Sequence, residues 1–129
     1  MQLTDSILNT IKHMLGIEPE YTHFDADIIL GINSSFFVLH QLGIGPVEHP
    51  YSIEGASETW SDFSEDIQDF NAIKHFVYLK TKMVFDPPLS GTLMGEYNKQ
   101  LDELAWRLTA HHDIEEGRKD EDEKKESDE

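Results

Sequence analysis

The sequence predicts an all-α protein: a small antiparallel bundle of about four helices. An irregular loop or short β-hairpin should separate the second and third helices, and a disordered acidic tail should end the chain. Three observations carry this. Four stretches repeat apolar residues at steps of three and four, the period of a helix face. The last two meet at Phe85-Asp86-Pro87-Pro88, where consecutive prolines lack backbone donors and so stop one helix before the next begins. From Asp113 onward apolar residues cease except for Ile114, so this stretch has too little apolar area to offset its ordering entropy.

The first helix is expected from Thr4 to Leu15, capped by Thr4 or Asp5, with Ile7, Leu8, Ile11, Met14 and Leu15 on one face. Gly16 is placed to end it in a left-handed conformation. Glu18-Pro19-Glu20 reads as a linker. The second helix should start near Thr22, with Asp25 reaching back as the third helical residue. Phe24, Ile28, Ile32, Phe36 and Leu39 form its main stripe, while Leu30, Phe37 and Val38 fall on other sides. A helix this apolar around its circumference sits centrally or touches another subunit. Gly43-Ile44-Gly45-Pro46 ends it.

Residues 47–66 are the irregular part. Tyr51-Ser52-Ile53 and Thr59-Trp60 flank Glu54-Gly55-Ala56-Ser57, compatible with a small hairpin or an ordered loop. Trp60-Ser61-Asp62-Phe63 can open a helical turn with Ser61 or Asp62 as cap. A long third helix is expected from Asp66 to Val84, turning Ile67, Phe70, Ile73, Phe76, Val77 and Met83 inward and leaving Lys74, Lys80 and Lys82 outside. Ser90 should cap the fourth, whose Met94, Tyr97, Leu101, Leu104 and Leu108 make a seam of about two heptads. The helical domain is thus expected over 1–112 and the tail over 113–129.

Length and composition narrow the class. At 129 residues without cysteine, the chain suits one domain in a reducing cytoplasm, with no disulfide or thiolate site. No apolar run reaches the roughly 18 residues of a membrane span, and Met1 to Asp5 lack the basic start of a signal peptide. The formal charge is −16, from 26 acids and 10 bases. Residues 113–129 hold ten acids against four bases, so the body is acidic as well. Proteins that grip nucleic acid neutralise phosphates with Lys and Arg, and the first 112 residues hold six. Tight DNA binding is not expected. An acidic wall past which DNA slides, or an acidic mimic of DNA, remains open.

No catalytic constellation emerges. His111 and His112 are adjacent, so on a helix they point about 100° apart and do not converge on one ion; a helix C-terminus favours positive charge there. His13, His23, His40, His49 and His75 show no ligand spacing. Asp25 and Asp27 suit a helix start, and Ser34 and Ser35 lack a nucleophile-elbow pattern. Neither a metal nor a cofactor is expected. Tyr51, Trp60 and Phe63 are the notable side chains, because a small domain has limited room for them. They either fold back as a lid on the bundle or anchor a subunit interface, where aromatics dominate the energetics. Ile53, in the same segment, and Ile114 complete the candidate interface set.

Taken together, Phe24-Asp25-Ala26-Asp27-Ile28, the glycine-ended helix through Gln41-Leu42-Gly43-Ile44-Gly45, Thr59-Trp60-Ser61-Asp62-Phe63, Tyr78-Leu79-Lys80-Thr81-Lys82 and the Phe85-Asp86-Pro87-Pro88 stop suggest a family. The layout resembles the small head–tail connector (adaptor, or head-completion) proteins of tailed bacteriophages over about residues 3–110. The resemblance implies a helical subunit without enzymatic activity or cofactor. Such subunits form a ring, commonly of twelve copies, under the portal of the DNA-filled head. That ring extends the DNA channel and receives tail components. By position, residues 113–129 correspond to the family's portal-docking arm and 47–63 to its contact loop. The expected setting is the virion neck, assembled in the bacterial host cytoplasm. Packaged DNA would pass without specific binding, and no membrane is involved. The competing expectation is a DNA-mimic inhibitor of a host enzyme, although the acids cluster in loops and helix starts rather than in phosphate-like stripes. A His-dependent hydrolase is the third class.

Overall fold

Ser6, rather than Thr4 or Asp5, starts the first helix. Its hydroxyl accepts from the Asn9 amide at 3.2 Å, and α1 runs Ile7–Met14. In this computed structural model, which describes residues 2–64 and 69–127 with side chains through Ala110, the preceding residues are engaged elsewhere. Ser61 N donates to Leu3 O at 2.8 Å, Trp60 N to Asp5 O at 3.3 Å and Ile7 N to Glu58 O at 3.0 Å. The strap before α1 is therefore stitched to the segment before the short helix, with a single bridge between Ser6 and Thr59, and cannot itself be helical.

Helix α2 spans Asp25–Gln41, beginning three residues later than expected. The Thr22–Asp25 capping box does not form because the Asp25 carboxylate pairs with Lys12 instead, at 2.8 Å. Gly16 and Gly43, both at positive φ, close α1 and α2 as the sequence predicts. In each case the following residue bonds back five positions, Ile17 to Lys12 O and Ile44 to Leu39 O, the Schellman closure.

The segment between α2 and the next long helix is the loop alternative, and no strand forms among the described residues. It ends in the single-turn helix α3, Trp60–Phe63. Thr59 takes the cap position, and its amide donates to the Asp62 carboxylate at 2.8 Å, so Asp62 serves as the third helical residue and not as the cap. Helix α4 spans Phe70–Phe85; the expected Asp66 start and Ile67 lie outside the described residues. After the proline turn, the Ser90 hydroxyl accepts from Leu93 N at 3.3 Å. Helix α5 then spans Gly91–Ser127. Its backbone continues past position 112, where the domain was expected to end. The side chains on which a tail over 113–129 would depend lie outside the described ones.

Helix α4 is central. It packs on α2 along one flank, on α5 along another, and α1 lies across both α2 and α4. Phe24 at the start of α2 meets Phe85 at the end of α4, with ring centroids 5.3 Å apart, so these two helices are antiparallel. The two backbones approach closely at Gly31, where an added Cβ would lie 3.0 Å from Thr81 Cγ2. The core is built from Ile28, Ile32, Phe36 and Leu39 of α2, Ile73, Phe76 and Val77 of α4, and Ile7, Leu8 and Ile11 of α1. Leu101 and Leu108 of the expected seam are buried against it, while Tyr97 and Leu104 are half-buried.

Candidate functional site

The irregular segment turns inward. Trp60 is 1% exposed, Ile53 2% and Phe63 5%; Tyr51 is half-buried. Phe36 of α2 organises the cluster, with its ring centroid 4.7 Å from Phe63, 5.3 Å from Tyr51 and 6.4 Å from Trp60. Trp60 also meets Phe70 at the start of α4, 5.6 Å away. Its indole N–H donates to Thr10 Oγ1 at 3.2 Å, and that hydroxyl donates to Ser6 O at 2.7 Å. Trp60 and Phe63 are thus packed into the core of this chain. The side chain of Ile114 lies outside the described residues.

Three further contacts hold the segment. The Asn33 side-chain amide forms a two-point clamp on Ile53, accepting from its N–H at 2.8 Å and donating to its carbonyl at 3.0 Å. Gly45, at φ +93°, approaches the Phe63 ring so closely that a Cβ there would overlap it. The Glu58 carboxylate accepts from the amides of Glu54 at 2.6 Å and Gly55 at 3.3 Å. Burial works against its charge, but these backbone bonds outweigh it and hold the acid below its ordinary pKa. Burial, and then the charges of Asp62 and Glu58, push the neighbouring Tyr51 phenol up.

Lys12 is a fully buried lysine. Its ammonium donates to Pro19 O at 2.9 Å and Tyr21 O at 2.8 Å, and pairs with Asp25. Two hydrogen bonds and one ion pair thereby tie the linker between α1 and α2 to both helices. Neither Lys12 nor Asn33 was singled out by the sequence patterns. A signal for Lys12 existed, since it falls within the apolar arc of Leu8, Ile11 and Leu15.

What remains uncovered is different surface. The outward face of α2 carries Ala26, Asp27, Leu30, Ser34, Phe37 and Gln41, all exposed. Leu30 is 62% exposed and Phe37 52%, and Asp27 is the single charge. Beside Leu30 lies an open pocket of about 250 Å³ formed with Phe24, Asp27, Val84 and Phe85. On α5, Trp106 is 71% exposed, amid Lys99, Asp102, Glu103 and Arg107. Charge is also divided along the chain. Residues 1–69 hold twelve acids against one lysine, the buried Lys12, whereas residues 70–112 hold four acids against five bases.

Among the described residues no three or more His, Asp or Glu side chains converge as a metal site, and no helix is long and apolar enough to cross a membrane. His111 and His112 lie outside the described side chains. The polar groove of Asp5, Ser6, Asn9, Thr10 and His13 lies along α1, where Ser6 and Thr10 already serve the helix cap and Trp60.

A helical chain whose helix α2 shows water an almost uncharged face, with Leu30 and Phe37 exposed, presents the surface of a protein that contacts another. The family model described as phage connector protein matches residues 7–115, from the first residue of α1 into α5. The chain belongs to the phage connector protein family, a structural family of the phage neck. No curated protein and no solved structure is similar enough to match it.

Proposed function

We propose that this protein forms a ring at the phage neck, joining the portal of the DNA-filled head to the tail and extending the DNA channel. Membership of the connector family carries this reading, and the uncovered face of α2 supports it. Burying Leu30 and Phe37 removes apolar area from water at about 25 cal/mol per Å², a gain that a lone subunit forgoes. The ring has twelve copies, with the portal on one side and other neck or tail-completion proteins on the other. Residues 1–112 form the ring body, and the segment from 113 onward docks to the portal, with Ile114 as its apolar anchor. The half-buried Tyr51 is the contact residue of the 47–63 loop, supported from beneath by Ile53, Trp60 and Phe63. The protein works without enzymatic activity or cofactor, and assembly takes place in the host cytoplasm.

The net charge of −16 fits a wall that releases no counterions from DNA and so lets it pass. The same acidity would suit a DNA mimic, but family membership favours the connector. The test is a phage carrying a stop codon early in this reading frame. Full heads that lack tails, restored by the chain supplied in trans, are expected. Normal tailed particles without the protein would overturn the reading.

A further inference from the structure

Resting on that connector reading, we propose that the proline-turn end of the bundle grips an arginine side chain of a different virion protein. The seat is the open pocket of about 250 Å³ formed by Phe24, Asp27, Leu30, Val84 and Phe85. That volume is below the roughly 300–1,000 Å³ of small-molecule sites, so it suits one inserted side chain. The start of α2, with its cap Phe24, and the last turn of α4 supply all five residues. Helix α5 begins a few residues further on, which places the pocket at one tip of the bundle.

Charge at this tip is one-sided. The stretches 18–31 and 82–96 hold Glu18, Glu20, Asp25, Asp27, Asp86 and Glu96 against a single base, Lys82. Lys82 is taken by Asp86, and Asp25 by Lys12. Asp27, the charge that lines the pocket, is exposed and has no hydrogen bond or ion pair among the described residues. A partner that complements this end brings positive charge.

The walls narrow that charge to a guanidinium. Phe24 and Phe85 meet with ring centroids 5.3 Å apart, and Tyr21 and His23 extend the aromatic group at 5.8 and 4.8 Å from Phe24. The carbonyls of Met83 and Val84 would close onto residues 87 and 88, but both are prolines without an N–H. Helix α4 therefore ends here with acceptors and the negative end of its dipole. Arginine offers five N–H donors and no acceptor, stacks on aromatic rings and takes a carboxylate two-pronged. Its methylene stem can cover Leu30 and Val84, 62% and 58% exposed.

Another copy of this chain is a poor source of that arginine. Its two arginines are Arg107 and Arg118. Arg107 lies 16 residues beyond the start of α5, about 24 Å along the helix from the pocket end, and a copy packed side by side keeps it at that remove. Arg118 falls in the stretch 113–129, whose ten acids against four bases are repelled by an acidic tip. The arginine therefore comes from a different protein stacked on this end.

Two measurements test this on the full chain. The isotope-labelled protein is titrated by NMR with the capped peptide Ala-Leu-Arg-Leu-Ala. Saturable shifts are expected at Asp27, Leu30, Val84 and Phe85, with a millimolar midpoint. Lysine in place of the arginine should bind severalfold more weakly, and Asp27→Asn should weaken the arginine peptide about fivefold with helix content unchanged. Scattered or non-saturating shifts, or equal binding of a norleucine peptide, would overturn the proposal. In purified particles, Leu30→p-benzoylphenylalanine is photo-crosslinked and the joined peptide sequenced. A segment of another protein with an arginine within a few residues is expected. A crosslink to a second copy of this chain, or to a segment without arginine, sinks the idea. Particles that contain the chain but give no crosslink also sink it, while leaving the connector role standing. Particles that lack the chain remove the connector role and the virion partner with it.

Discussion

The Asn33 side chain and the Ile53 backbone bond to each other twice, N–H to Oδ1 at 2.8 Å and Nδ2 to carbonyl at 3.0 Å. One amide on α2 thus does for the loop what a neighbouring strand would do. Ile53 is held beneath the surface without a sheet, both its backbone groups are satisfied away from water, and Tyr51 two residues before it can lean on Phe36.

Removing that amide should loosen the loop before it loosens the bundle. Asn33→Ala strands both Ile53 groups and is expected to cost about 2 kcal/mol. Hydrogen exchange at the Ile53 amide should rise well beyond the general effect on stability. Unchanged protection at Ile53 would show that the clamp does not hold the loop.

Lys12 should resist replacement by an apolar residue of similar size. Lys12→Met leaves Asp25 and two carbonyls without their partner, and breaking a buried pair from one side costs about 3 kcal/mol. Chemical denaturation measures the loss. Pairing Lys12→Met with Asp25→Asn should recover part of it, because the orphaned charge is then removed.

Glu58 gives the 54–58 turn a pH dependence. Its pKa in the folded chain lies below the ordinary 4.5, so its stabilising effect is fully present above that ordinary value and is lost as pH falls through the lower folded one. An NMR titration should place the Glu58 midpoint below 4.5, with the Glu54 and Gly55 amide signals moving along the same curve. In Glu58→Gln these two signals should no longer follow an acid transition.

Gly45 is fixed by two constraints together, a positive φ and the nearness of the Phe63 ring. Gly45→Ala adds left-handed strain to an overlap with the ring, and roughly 2–4 kcal/mol should be lost. Gly55→Ala, where nothing lies within 4 Å, is the control and should sit near wild type.

The helices were legible because their signals are local. Apolar spacing identified Ile28, Ile32, Phe36 and Leu39 as one buried stripe, glycines marked the ends of α1 and α2, and Ser90 announced α5. Their starts were less legible. Thr4 and Thr22 have capping chemistry, but the residues that would complete those caps bond across the fold instead, Asp5 O to Trp60 N and Asp25 to Lys12. The aromatic cluster was noticed as Tyr51, Trp60 and Phe63, yet its inward direction depended on Phe36 and on the space opened by Gly45. Trp106 lies off the seam of Leu101, Leu104 and Leu108 on α5, and its exposure follows from that placement.

Sequence by itself determined the helical class, the proline turn between α4 and α5, the acidic balance and the connector family, because each resides in neighbouring residues or in composition. Tertiary structure alone decided which apolar groups are spent inside the subunit and which are left over. That division depends on contacts between residues far apart in the chain: Trp60 found Thr10 and Phe70, whereas Leu30, Phe37 and Trp106 keep more than half of their surface exposed among the described residues.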